Sequence, residues 1–74
     1  MTMQEAYKSM EQGNKVFHYY FDKEEYIYMN ERGEMYSEDG YRFEDGWQDR
    51  SFLKTYESGW SIWEEEIIKP SEIM

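Results

Sequence analysis

The residues best suited to chemistry in this sequence are aromatic, and they are concentrated in the stretch KVFHYYFDKEEYIYMN, residues 15–30. Aromatic faces stack on nucleobases, and each such stack contributes about 1–3 kcal/mol. Basic side chains close to rings can hold phosphate groups through charge-assisted hydrogen bonds, although a surface ion pair is their more common role. The rings of this stretch belong to Phe17, His18, Tyr19, Tyr20, Phe21, Tyr26 and Tyr28, and the basic candidates are Lys15, Arg32, Arg42, Arg50 and Lys54.

Side chains that carry catalysis are scarce in comparison. The chain has no cysteine, and His18 is its only histidine. A Ser-His-Asp arrangement would need that one imidazole, and no serine lies in the G-x-S-x-G context of a nucleophile elbow. Gly33, Gly40 and Gly46 are spaced as turn residues and not as a phosphate-binding loop. We therefore predict that the protein is not an enzyme.

The sequence also contains few residues in arrangements that could bind a metal or a cofactor. The absence of cysteine excludes a thiolate site, and a single histidine excludes a two-histidine zinc motif. The acidic segment from Asp39 to Asp45 lacks the D-x-D-x-D-G spacing of a calcium loop. The 17 acidic side chains are best interpreted as a solvated surface, and no cofactor is predicted.

Size and charge restrict the possible partners. A 9.2 kDa chain buries about 63% of its surface on folding, which leaves a lone monomer marginally stable. Without disulfides or metal, a homo-oligomer (dimer or tetramer) is the expected means of stabilisation. The formal charge of -9 argues against binding to nucleic acid. No apolar run approaches the roughly 18 residues of a membrane span and no signal peptide is evident, so we expect a cytoplasmic protein.

The pattern of turns and apolar residues predicts the element order α-β-β-β-β-(α)-β. Thr2 and Glu5 form a capping box for a helix over residues 3–12. Strands are expected at 15–21, 26–30, 35–36, 41–43 and 60–63, with a G1-bulge hairpin at Asn30–Gly33. A short helix over 50–56, capped by Asp49, precedes the last strand. The predicted fold class is α+β, with an N-terminal helix packed on a small antiparallel sheet (a meander) and a short second helix before the last strand.

Two further expectations concern domain limits and the faces of the sheet. We expect one domain over residues 1–66 and a C-terminal tail over 67–74, in which Ile67 and Ile68 are either frayed or docked on a partner subunit. The first two strands carry rings on both faces, since side chains alternate along a strand. One helix covers only one face, so the other face is expected to be covered by a second subunit, a ligand, or both.

The order of several motifs resembles that of a family of small phage and bacterial proteins. The opening MTMQEAYKSMEQGNKV is similar to the family's short helix followed by a glycine, a lysine and a valine, here Gly13, Lys15 and Val16. EYIYMNERGEMY resembles the central hairpin, and FLKTYESGWSIWEE resembles the closing helix and tryptophan-containing strand. Over about residues 1–65 the chain thus resembles the Thoeris anti-defence sponge proteins of phages.

This resemblance implies a compact α+β homo-oligomer that binds a cyclic nucleotide-like immune signal in pockets at subunit interfaces. Such proteins sequester the signal, for example a cyclic ADP-ribose isomer, without cleaving it, so that the host effector stays inactive. The family's first strand often reads V-x-R-x-x-W. This chain keeps Val16 but has His18 and Phe21 at the other two positions, which changes the phosphate pairing and the stacking that the family pattern supplies.

The first functional prediction is therefore a phage anti-defence protein that binds and sequesters a nucleotide-derived signal. Each candidate contact also has an ordinary role in a core or an ion pair, and for Phe21 and Trp47 the two roles are equally expected. The predicted ligand-binding residues are Phe17, His18, Tyr20, Phe21, Tyr26, Arg42, Trp47 and Arg50.

The alternative is an acidic inhibitor that binds a host defence protein directly. Its carboxylates would imitate the phosphates of DNA, as some anti-CRISPR and anti-restriction proteins do. The ordinary explanation of the same acids is that they keep an aromatic-rich chain soluble. The residues proposed to form the mimic are Glu24, Glu25, Glu31, Glu34, Glu38, Asp39, Glu44 and Asp45.

Overall fold

The computed structural model describes residues 1–64, and within them the fold is α+β. Four short strands form one antiparallel sheet with the order β3-β2-β1-β4. The first three strands make the predicted meander, and β4 pairs with the free edge of β1. The elements are α1 (Met3–Glu11), β1 (Val16–His18), β2 (Ile27–Met29), β3 (Met35–Ser37), α2 (Glu44–Arg50), a 3₁₀ turn (Lys54–Tyr56) and β4 (Trp60–Ile62).

The N-terminal helix begins at the predicted capping box. The backbone N–H of Glu5 donates to the Thr2 hydroxyl oxygen at 3.1 Å, and the N–H of Thr2 donates to the Glu5 carboxylate at 2.8 Å. These two bonds satisfy N–H groups that have no partner inside the helix. Ala6 and Met10 lie on the buried side of α1, so the helix packs its apolar stripe onto the sheet.

The core lies between α1 and one face of the sheet, which we call the inner face. Val16, Ile27 and Trp60 come from three different strands and are all at most 1% exposed. The opposite face, the outer face, is covered by no other helix or strand among residues 1–64. The buried apolar residues are Ala6, Met10, Val16, Ile27, Met35 and Trp60.

Several predicted element bounds were wrong. The first strand ends at His18 and not at Phe21, because Tyr19 and Tyr20 form a turn in which the Phe21 N–H donates to the His18 carbonyl. The strand predicted at 41–43 is reduced to one isolated bridge between Tyr36 and Arg42. The last strand ends at Ile62.

A short second helix does precede the last strand, as predicted, but its bounds differ from residues 50–56, of which only the 3₁₀ turn at Lys54–Tyr56 is helical beyond Arg50. The helix occupies Glu44–Arg50, so Asp45 and Gly46 lie inside it, and Asp49 does not cap the following turn. Glycine in a helix costs about 1 kcal/mol relative to alanine. The contact of Trp47 with Trp60, with ring centroids 5.0 Å apart, buries apolar surface that offsets this cost. Residues 65–74, which include the end of the predicted domain, the predicted tail, Ile67 and Ile68, lie outside the described residues.

Candidate functional site

The strand register places one set of rings on the outer face. Tyr28 pairs with Tyr36, and Phe17 pairs with Ser61. Residues paired directly across an antiparallel sheet point to the same side, and neighbours along a strand point to opposite sides. Val16 is an inner-face residue, so its neighbour Phe17 lies on the outer face. Ile27 is also an inner-face residue, so its neighbour Tyr28 lies on the outer face.

Four of the outer-face rings are in consecutive contact, and we call them the ring ladder. Tyr36 stacks on Tyr28 with centroids 5.8 Å apart and an interplanar angle of 25°. Tyr28 lies 6.2 Å from Tyr26, and Tyr26 lies 4.4 Å from Trp63. The ladder therefore extends across the sheet from β3 to the residue that follows β4, and it presents a continuous aromatic surface.

Each end of the ring ladder carries a basic side chain. The Lys15 ammonium lies 4.7 Å from the centroid of Tyr26 and 5.5 Å from that of Trp63. At the other end the Arg42 guanidinium lies 5.6 Å from the centroid of Tyr36. All three distances are within the range of cation–π attraction.

The two cations differ in how far their charge is already compensated. Arg42 donates two hydrogen bonds to the carboxylate of Glu44, at 2.9 and 2.8 Å, and lies 3.8 Å from Glu34. The bonds from Arg42, together with one from the N–H of Met35, lower the pKa of Glu44 from 4.5 to about 2. Two carboxylates thus compensate the charge of Arg42, whereas the described contacts of the Lys15 ammonium are with aromatic rings.

His18, a predicted ligand contact, lies in the core with 0% of its surface exposed. Its Nε2 is 2.8 Å from the carbonyl oxygen of Ser58 and 3.1 Å from that of Thr55. Its Nδ1 accepts a hydrogen bond from the N–H of Tyr20 at 3.1 Å. The imidazole therefore ties the end of β1 to the segment before β4 and has no surface on which a ligand can bind in this conformation.

Phe21 and Arg50 pack together at the edge of the core. Phe21 is half-buried, with its ring 5.7 Å from Trp60 and 6.5 Å from Phe43. The Arg50 guanidinium lies 5.1–5.8 Å from the rings of Phe43, Tyr56 and Phe21, and it donates to the Gly46 carbonyl at 3.0 Å. Substitution of either residue would therefore disturb packing as well as any ligand contact.

Tyr20 and Trp47 lie in two further places. Tyr20 is 59% exposed, with its ring centroid 4.6 Å from that of Tyr19 and 5.4 Å from that of His18. Trp47 contacts Tyr7 of α1, with centroids 6.0 Å apart. Tyr7 and Trp47 line an open groove of about 490 Å³ between α1 and α2, which we call the helical groove. Its apolar lining is Met3, Tyr7 and Trp47, and its polar lining is Gln4, Lys8, Glu11 and Ser51.

The eight predicted contacts thus separate into groups and do not form one site. Phe17, Tyr26 and Arg42 lie on or beside the outer face, whereas the remaining five lie in or around the core and the helical groove. The prediction omitted Tyr28, Tyr36 and Trp63 from the site. Two of these three could have been found from the sequence. Tyr28 lies two residues after Tyr26 and so shares its face of the strand, and the hairpin register sets Tyr36 opposite Tyr28.

Acidic side chains are gathered at another position, in the loop before β2 and the turn after β3. Asp22, Glu24, Glu25 and Glu38 line one surface depression of about 440 Å³, together with Lys23. Within residues 1–64, no three His, Asp or Glu side chains converge in a way that could hold a metal ion. Neither helix in that part of the chain is long and apolar enough to cross a membrane.

Comparison with models of protein families, with curated proteins and with solved structures finds no match to this chain. The resemblance to phage sponge proteins therefore stays a prediction from sequence.

Proposed function

We propose that this protein binds and sequesters a nucleotide-derived signal, a cyclic nucleotide or a cyclic ADP-ribose isomer, and does not cleave it. The biological role that we propose is that of a phage anti-defence protein, which keeps such an immune signal from its effector. The observation that carries the proposal is the ring ladder on the outer face, with Lys15 over two of its rings.

An aromatic surface with a nearby ammonium matches the chemistry of a nucleotide. The bases stack on the tyrosine and tryptophan faces, and Lys15 attracts the phosphate as a point charge. The chain's charge of -9 repels a long polyanion such as DNA. A mononucleotide or cyclic dinucleotide carries few charges, so a single local cation can compensate that repulsion.

The required affinity indicates that the ring ladder is one wall of a larger pocket. Nanomolar sequestration corresponds to about -12 kcal/mol. Two base stacks contribute about 2–6 kcal/mol, so the remainder has to come from enclosure of the ligand. A second copy of the chain facing the ring ladder would provide the opposite wall, in agreement with the homo-oligomer predicted from sequence.

Thermal melting against a panel of cyclic nucleotides and cyclic ADP-ribose isomers tests this function. A ligand at 100 times its Kd stabilises the native state by about 2.7 kcal/mol. For a domain of this size the melting temperature then rises on the order of 10 °C. We expect one compound to produce such a shift and to be recovered intact by chromatography. If no compound raises the melting temperature at saturating concentration, nucleotide binding is rejected. If the compound is recovered in cleaved form, sequestration without cleavage is rejected.

The second candidate function is direct inhibition of a host defence protein by the acidic surface. The convergence of Asp22, Glu24, Glu25 and Glu38 around one depression favours it, because closely spaced carboxylates resemble a row of phosphates. This function requires a partner with a basic surface. It predicts binding that weakens steeply as salt rises, whereas stacking in a pocket depends on salt only modestly.

Charge reversal separates the two candidates. Glu38→Lys combined with Asp39→Lys should abolish binding to a host DNA-binding protein and leave nucleotide-induced melting shifts unchanged. If the nucleotide shift is lost and protein binding is retained, the assignment of the two surfaces is wrong.

A further inference from the structure

Two exposed apolar side chains follow the helical groove along the chain. Ser51 lines the helical groove, and the next residue, Phe52, is 79% exposed. No other large apolar side chain in residues 1–64 is as exposed. Leu53 is 50% exposed, so two adjacent apolar side chains project into solvent beside an apolar groove.

We propose that Phe52 of one copy inserts into the helical groove of a second copy in a two-fold dimer. A two-fold axis brings the same patch of both copies together, so each copy supplies one Phe52 and one groove. Tyr7 and Trp47 of the receiving copy provide aromatic faces for the inserted ring. Aromatic residues are enriched in the buried centres of such interfaces.

The charge of the helical groove allows a second copy to approach. Two copies with a formal charge of -9 each repel one another. The polar lining of the groove contains one acid, Glu11, and one cation, Lys8, besides two neutral side chains. The groove is thus a locally neutral surface on a strongly acidic protein, where two copies can approach with least repulsion.

The spacing of those two charges adds a specific contact. Lys8 and Glu11 are three residues apart on α1, so they lie on the same side of the helix. When two α1 helices cross antiparallel at a two-fold axis, Lys8 of each copy faces Glu11 of the other. The dimer therefore gains two symmetric ion pairs at the rim, which fix the orientation of the contact.

This contact does not depend on nucleotide binding. The helical groove lies on the helical side of the sheet, and the ring ladder lies on the outer face. A tetramer with two different two-fold contacts can use both surfaces at once. The response of assembly to substitution of Phe52 therefore tests the groove contact separately from a contact at the ring ladder, and its failure leaves the proposed function of the ring ladder standing.

Sedimentation velocity over a concentration series, without nucleotide, tests the insertion of Phe52. We expect a concentration-dependent dimer whose Kd rises at least about tenfold in Phe52→Ser, because a large apolar side chain leaves its groove. Tyr41→Ser removes a side chain that is 73% exposed elsewhere and should leave the Kd unchanged. A protein that is monomeric at every concentration, or a dimer that Phe52→Ser leaves intact, overturns the proposal.

Mixing two charge variants tests the orientation independently of folding. Lys8→Glu gives a copy with two acids at the rim, and Glu11→Lys gives a copy with two cations. Each variant alone should dimerise about tenfold more weakly than the native chain, since like charges meet. An equal mixture should sediment as a heterodimer, because opposite charges then meet at both contacts. A mixture no more associated than the separate variants rejects the antiparallel α1 contact.

Discussion

The imidazole Nε2 of His18 lies 2.8 Å from the carbonyl oxygen of Ser58, at a sequence separation of 40 residues. Because Nδ1 accepts from the N–H of Tyr20, Nε2 carries the proton and donates to Ser58 and Thr55 in the neutral tautomer. The only histidine of the chain thus joins β1 to the segment before β4. Its role in the described structure is that of a buried, fully hydrogen-bonded cross-link.

Replacement of His18 by phenylalanine should destabilise the fold while keeping its size. The substitution removes the bonds to Ser58, Thr55 and Tyr20, and each typical hydrogen bond contributes about 1 kcal/mol. We expect a loss of about 2–3 kcal/mol in urea denaturation followed by tryptophan fluorescence. Tyr19→Phe, at a neighbouring side chain that is 62% exposed, is the control and should change stability by less than about 0.5 kcal/mol. Equal stability of the two variants would mean that the His18 bonds contribute nothing.

Gly59 is the position at which an added methyl group should be most harmful. Its φ is +94°, and a Cβ there would lie 2.5 Å from the Tyr19 ring and 2.9 Å from Nε2 of His18. Gly33, with φ +82°, has no atom within 4 Å of the corresponding point. Both alanine variants incur the left-handed backbone cost of about 1–2 kcal/mol.

Only Gly59→Ala also displaces packed atoms. We therefore expect it to lower the free energy of unfolding by at least about 1 kcal/mol more than Gly33→Ala does, measured by the same urea titration. Similar losses in the two variants would show that the Tyr19 and His18 rings move aside without cost.

The pairing of Glu44 with Arg42 predicts a specific acid dependence. The pKa of Glu44 falls from 4.5 to about 2 in the folded protein, so the native state binds fewer protons than the unfolded state between these values. The stabilising contribution is complete above about pH 4.5 and is lost as the pH falls through about 2. Arg42→Gln removes the largest cause of the shift, so the pKa of Glu44 should rise toward 4.5.

Carbon-detected NMR titration of the Glu44 carboxyl group measures this change directly. Arg32→Gln is the matched control, because it removes an exposed arginine without a described ion pair. It should leave the pKa of Glu44 unchanged. An unaltered Glu44 titration in Arg42→Gln would show that the pair does not form in solution.

The features that sequence alone predicted correctly were those governed by local chemistry. The capping box of Thr2 and Glu5 and the apolar stripe ending at Met10 are set by neighbours within one helix, and they specified α1 almost to the residue. The Asn30–Gly33 turn likewise fixed the β2–β3 hairpin and, through it, the pairing of Tyr28 with Tyr36. The α+β class followed from these elements together.

The errors arose where distant residues decide the local conformation. Trp47 packs on Trp60 and Tyr7, and this long-range burial makes a helix of a segment whose Asp45-Gly46 sequence favours a turn. His18 has the alternation of a strand residue, but its burial depends on carbonyl groups about 40 residues away. Local patterns carry no information about such partners, which is why the complete burial of His18 was not predicted.

Tyr28, in the middle of the ring ladder, provides the sharpest test of the proposed function. Tyr28→Leu interrupts the ladder between Tyr36 and Tyr26 while keeping an apolar side chain on β2. Loss of one stack of about 1–3 kcal/mol should weaken nucleotide binding by roughly 5- to 150-fold. Isothermal titration calorimetry with the compound that raises the melting temperature measures the change.

Tyr41→Leu is the matched control for this experiment. Tyr41 is 73% exposed and belongs to no described ring pair, so its replacement removes the same aromatic group from a different surface. We expect its affinity for the nucleotide to equal that of the native chain. Both variants are compared at temperatures at which each is fully folded, because the loss of the Tyr28–Tyr36 pair itself costs about 0.2–1 kcal/mol of stability. If Tyr28→Leu and Tyr41→Leu bind equally well, the nucleotide does not stack on the ring ladder, and the ligand site has to be sought on the helical side.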